Sequence, residues 1–115
     1  MNKINGVDFS QVADAAIKAA RDAARNDQAW DTLGDIVKNI ADNLRSDVEL
    51  IAKQKSKGNF TEDDARIYME DQKMVARLRI RSVAIIGLQL AENIWNAIAR
   101  VFGSAVNQAL GWKVL

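Results

Sequence analysis

Counting from Phe9 in alternating steps of three and four residues gives Phe9, Val12, Ala16, Ala19, Ala23, Asn26, Trp30, Leu33, Val37, Ile40, Leu44, Asp47 and Ile51. Only Asn26 and Asp47 interrupt an apolar seam that holds one heptad phase throughout, and a seam of that period is buried by a helix. The same count after a break gives Ile67, Asp71, Met74, Leu78, Arg81, Ile85, Leu88, Glu92, Trp95, Ala99, Phe102, Val106 and Ala109. Here Asp71, Arg81 and Glu92 are the exceptions. No proline occurs in the 115 residues, so nothing in the composition forbids helix along either seam.

The break itself is legible in "KSKGNFTEDDA". Lys53, Lys55 and Lys57 crowd the end of one predicted helix, where cations suit the carbonyl end of the dipole, and Gly58 can adopt a left-handed cap. Thr61 can cap the next helix, whose first turn carries Glu62, Asp63 and Asp64. Each charge cluster has the sign its helix end favours. The chain has the length of one domain, 1–115, with no repeat, low-complexity tract or Ser/Pro-rich linker.

Folding the second seam antiparallel onto the first, with Ile51 beside Ile67, sets Leu44 by Met74, Ile40 by Leu78, Leu33 by Ile85 and Trp30 by Leu88. Towards the termini it sets small Ala23 and Ala16 against bulky Trp95 and Phe102, an alternation that dense packing favours. Two layers fit less well: Asp47 meets Asp71, and Arg81 meets Val37. The fold class is therefore all-α, in one of two forms. Helix through "RNDQAWD" would make a long antiparallel helical hairpin, a rod of ~75 Å at 1.5 Å per residue. A break and new cap at Asn26 or Asp27 would instead fold the Ala-rich segment back into a compact three-helix bundle. The unbroken phase and the equal arms favour the rod.

The most apolar stretch, "RSVAIIGLQL", is followed by a polar strip of Gln89, Glu92, Asn93, Asn96, Arg100, Ser104 and Asn107. A membrane-spanning helix of ~20 residues would lack such a strip, so no span is expected. Off the main seam lies a second apolar row of Ile86, Leu90, Ile94, Ala97, Val101 and Ala105, matched on the other arm by Ala13, Ile17, Ala20 and Ala24. A two-helix hairpin cannot bury both rows alone. In the rod they must meet another chain or lipid, and in the compact form they supply the third side of the core. Ile86, Leu90, Ile94, Val101 and Ile17, with Trp112 beyond Gly111, are accordingly the expected protein-interface residues.

The chemistry available to the chain is narrow. With neither His nor Cys, zinc fingers and Ser-His or Cys-His catalysis are excluded. Asp47 with Asp71 is the best seam pair for an oxygen-only cation site, but two carboxylates reaching solvent or a nearby Lys are the expected reading. "EDD" reads as a helix N-terminus and lacks the spaced ligands of a calcium loop. No Gly-rich phosphate motif is present. Arg66, Lys73, Arg77 and Arg81 share a helical face, but Glu70 lies among them and no aromatic interleaves, which disfavours nucleic acid. A net charge of +1 adds no electrostatic pull towards nucleic acid or anionic lipid.

In size and outline a helical hairpin of this kind resembles secretion-needle subunits and small secreted Trp-x-Gly dimers. The turn "SKGNFT" has neither the Trp-x-Gly nor the proline-bearing needle motif, so no residue role is carried over. The expected function is non-enzymatic: a self-associating helical protein, a homo-oligomer joined through the terminal half of its helices and serving as a structural or adaptor subunit. Another protein partner is a secondary expectation, and no cofactor or metal is expected. The alternative is a membrane-active helical protein, pore-forming or surface-coating, that releases its second row into lipid. "MNKINGVDFS" has no apolar stretch of signal-peptide type, so cytoplasmic residence is the default, with secretion by a signal-less route left open.

Overall fold

In the computed structural model, which describes residues 3–25, 27–83 and 87–115, the chain begins with a strand pair too short to be expected from periodicity. Strands β1 (Lys3–Ile4) and β2 (Val7–Asp8) pair antiparallel, Lys3 with Asp8 and Ile4 with Val7. The turn between them is Asn5-Gly6, with φ of 48° and 82°. Positive φ at both central residues is the backbone that suits the twist of a two-residue hairpin, and Asn-Gly supplies it. Asp8 then caps the first helix, its carboxylate accepting from the Ser10 and Gln11 amides.

Four helices follow among the described residues: α1 (Phe9–Ala24), α2 (Asp27–Ser56), α3 (Glu62–Arg81) and α4 (Gly87–Leu110). The protein is all-α, and its helices run alternately up and down. Antiparallel neighbours are tied at opposite ends of their sequences: Asp47 of α2 to Tyr68 of α3, Asn39 to Arg79, and Arg77 of α3 to Glu92 of α4. Helix α1 packs on α4 and α2, and α3 packs on the same two helices, so α1 and α3 occupy opposite corners.

Of the two expected forms, the structure takes the compact one, with four helices in place of three. Its longest axis is 45 Å, well short of the rod. That is the length of α2, whose thirty residues rise ~45 Å. The first arm breaks after Arg25, which closes α1 in the left-handed conformation (φ 53°); the proposed cap at Asn26 lies outside the described residues. The second arm, expected to be continuous, also breaks. Helix α3 ends at Arg81, the Ser82 amide donates to Leu78, and α4 starts only at Gly87, with φ 74°. An unbroken heptad phase therefore does not guarantee an unbroken helix: folding back at both points lets each helix be covered on more than one side.

The turn between α2 and α3 forms as expected. Gly58 has φ 73°, Lys53 and Lys55 lie in the last turn of α2, and Thr61 and Asp64 make a reciprocal capping box with bonds of 3.2 and 3.0 Å.

The first seam is core along α2, where Leu33, Val37, Ile40, Leu44 and Ile51 are buried, but in α1 only its Phe9 and Ala16 are. Val12, Ala19 and Ala23, with Trp30 at the start of α2, are half-buried, and α1 turns Ala13, Ala20 and Ala24 of the second row inward. In α4 the seam residues Trp95, Phe102, Val106 and Ala109 are buried as well, facing an α1 surface of Ala13, Ala16, Ala20 and Ala24. Leu88, expected beside Trp30, is instead exposed at the start of α4, and Ile85 lies outside the described residues. Small residues on α1 let its backbone approach the bulky face of α4.

In α3 the expectation fails. Ile67, Met74 and Leu78 are 61%, 61% and 60% exposed, and the residues turned inward are Ala65, Met69, Ala76 and Ile80. At 100° per residue the inward set centres about 180° from the seam, so the helix is turned by half a revolution from the expected pairing. Two of the four inward residues are alanines, which let α3 sit close into the groove between α2 and α4. The opposite orientation would bring bulkier side chains to the two alanine positions and would bury the Asp71 carboxylate, whereas the inward set carries no charge.

The chain ends in a reversal at Gly111 (φ 67°) that buries Val114. Asn107 fastens it, its carbonyl oxygen accepting from the Val114 and Leu115 amides and its amide group donating to the Leu115 carbonyl. Lys55 donates to the Leu110 carbonyl at the end of α4 and lies 4.5 Å above the Trp112 ring, closing that end of the bundle.

Candidate contact surface

The six expected interface residues do not form one exposed surface. Ile94 is fully buried, which corrects its assignment to an intermolecular face: α1 folds back over α4, and the chain covers its own second apolar row. Leu90, Val101 and Ile17 are half-buried, packed against the same core, and Trp112 lies half-buried beneath Lys55. Ile86 lies outside the described residues.

Among the described residues the exposed large apolar side chains, apart from Leu50 of α2 and Leu88 of α4, gather on the outer face of α3. One flank of the helix is fixed to α2, the Tyr68 hydroxyl donating to Asp47 (3.0 Å) and the Arg79 guanidinium to Asn39 (2.5 Å). The other flank is fixed towards α4, Arg77 donating to Glu92 (2.9 Å) and the Lys113 amide to Glu62 (2.8 Å). Between these flanks Ile67, Met74 and Leu78 form a stripe at the a and d positions of a heptad, with Val75 beside it and Asp71 within it. A lone exposed Leu is ordinary, but large apolar side chains recurring on one helix face mark a contact site. The stripe was visible in the sequence as a seam. What misled was its direction, because α3 carries a second, smaller apolar set in a different phase.

The polar chemistry around α3 is modest. Burial pushes the Asp47 carboxyl above its ordinary range, and the hydrogen bond from Tyr68 pulls it part of the way back. Burial also raises the Tyr68 phenol, reinforced by its bond to Asp47 and by the carboxylate's charge. Asp71, the expected companion of Asp47 in a cation site, is exposed on the outer face, and no group of three Asp or Glu side chains placed to hold a metal occurs among the described residues. The cleft beside Asp47, lined also by Asn43, Gln72 and Arg79, encloses about 30 Å³, room for one water. A broader groove of about 400 Å³ between Glu62, Arg66, Glu70, Lys113, Val114 and Leu115 brings acids and bases together without a nucleophile and base in a catalytic pairing.

Among the described residues no helix is long and apolar enough to cross a membrane. Compared with known proteins, the chain matches no family model, no curated sequence and no solved structure.

Proposed function

We propose that this protein is a self-associating helical subunit, structural or adaptor in role, which works through protein contact and not through catalysis. One observation carries the reading: a heptad stripe of large apolar side chains stands exposed on a helix whose opposite face is buried in the bundle. A stripe of that period fits a helix with the same repeat. A second copy presents such a helix at the same concentration.

Covering the remaining exposed parts of Ile67, Met74 and Leu78 on both copies releases roughly 1 to 2 kcal/mol per side chain. Association costs on the order of 4 to 15 kcal/mol in lost freedom, so the balance points to micromolar affinity or weaker. Light scattering from about ten to several hundred micromolar spans the range of such a contact. The expected result is a mass that rises with concentration in the native chain and stays monomeric in the double variant Met74→Lys with Leu78→Lys, with unchanged helical circular dichroism. A native chain that stays monomeric throughout, or a folded variant that associates as the native chain does, overturns the reading.

A further inference from the structure

Charge runs along α3 in two blocks. Its first half holds Glu62, Asp63, Asp64, Glu70 and Asp71 against Arg66 alone, and its second half holds Lys73, Arg77, Arg79 and Arg81 with no acid at all. Two copies laid parallel on their stripes would set acid against acid and base against base. Laid antiparallel, they set each acidic half along a basic half.

We infer that the partner of this surface is a second copy bound antiparallel about a two-fold axis through the middle of α3, with Ile67 of each copy packed on Leu78 of the other. This inference rests on the self-association just proposed and specifies its geometry. In that register the a and d layers alternate as an antiparallel coiled coil requires. Asp71 lies against Met74 of the other copy, and Arg81 reaches Asp64 at the far end of the partner helix. Glu70 and Arg77, both on the flank nearest α4, meet across the axis twice. Sliding the helices by one heptad would carry Ile67 beyond the end of the partner's α3 and bring Arg77 against its own twin. The register chosen overlaps nearly the whole of Glu62–Arg81. The contact is isologous, so it closes on two copies and leaves no α3 stripe to recruit a third.

The absence of cysteine gives a clean test, because any thiol is one that has been introduced. Ile67→Cys and Leu78→Cys are prepared separately, then oxidised alone and as an equimolar mixture. In the antiparallel pair each introduced thiol lies ~16 Å along the axis from its twin, beyond disulfide reach, so the mixed disulfide should exceed either self-disulfide by about tenfold or more. Glu70→Lys should weaken the dimer, because it sets a cation against Arg77 of the other copy on both sides of the axis.

A dominant Ile67→Cys self-disulfide, or no mixed product from a chain that light scattering shows to be dimeric, overturns the antiparallel register. The surface reading survives that result if Met74→Lys with Leu78→Lys still abolishes the dimer. Failure of that double variant to change the mass overturns both.

Discussion

Asp47 shows how one side chain can sit in the predicted seam yet serve another purpose. It faces α3 from α2, accepts a hydrogen bond from Tyr68 and is only partly covered, so its carboxyl titrates above the ordinary value mainly through desolvation. An acid whose folded pKa is raised adds stability below its unfolded pKa and loses it as pH rises through the folded one. The ionised carboxylate is thus a burden at neutral pH. Asp47→Asn keeps an oxygen for the Tyr68 hydroxyl and removes the charge, so its melting temperature should exceed the native one near pH 7, and the difference should close below about pH 4, where the native carboxyl is itself protonated. Thermal melts at the two pH values check this, and an equal difference at both would show that ionisation is not the cause. A second contrast is larger. Leu44 is buried and Leu78 is not, so Leu44→Ala should cost roughly 2 to 5 kcal/mol in denaturant unfolding of the monomer. Leu78→Ala should stay within about 0.5 kcal/mol, as surface changes do.

At the scale of elements, α1 and α4 carry much of the cohesion of the bundle. Leu90 and Ile94 lie on the α4 row that α1 covers, Ile94 with no exposure at all. Replacing both with Lys places one ammonium in the core and another at its margin, with no described carboxylate buried there to receive them. The double variant should lose its cooperative melt and much of its helical circular dichroism. A variant that stays folded and merely changes mass would mean that this row meets another chain after all. The end of α2 and the start of α3 were legible because local chemistry settles them: three lysines, a glycine and a capping Thr leave few alternatives. The start of α2 was not, since the heptad phase runs straight through it. The direction of α3 was not, because Ile67, Met74 and Leu78 compete with Ala65, Met69, Ala76 and Ile80, and hydrophobicity favours the larger set while closeness of approach favours the smaller. The Asn5-Gly6 hairpin had a sequence signal of its own, too short for any test of periodicity. The break after Arg81 had only Gly87 to announce it.

At the scale of the whole molecule, the two readings of the seam differ in shape by more than any local detail. An uninterrupted hairpin of ~75 Å would have a radius of gyration of ~22 Å, that of a thin rod of its length. The folded-back bundle has 14.2 Å over its Cα atoms and a longest axis of 45 Å. Self-association would blur this contrast, since two bundles side by side scatter as a larger body, so the measurement belongs on the Met74→Lys with Leu78→Lys variant. Small-angle scattering from that monomer should give a radius slightly above the Cα value, once side chains and hydration are added, and a pair-distance distribution that falls to zero soon after the bundle's length. The native chain at high concentration should then show a larger radius but only a modestly longer maximum dimension. The inferred pairing lays α3 along α3, so the second copy adds breadth more than length. A monomeric variant near 22 Å would mean that the continuous heptad phase prevails over both breaks, and that the apolar row of α4 is free in solution to meet a partner.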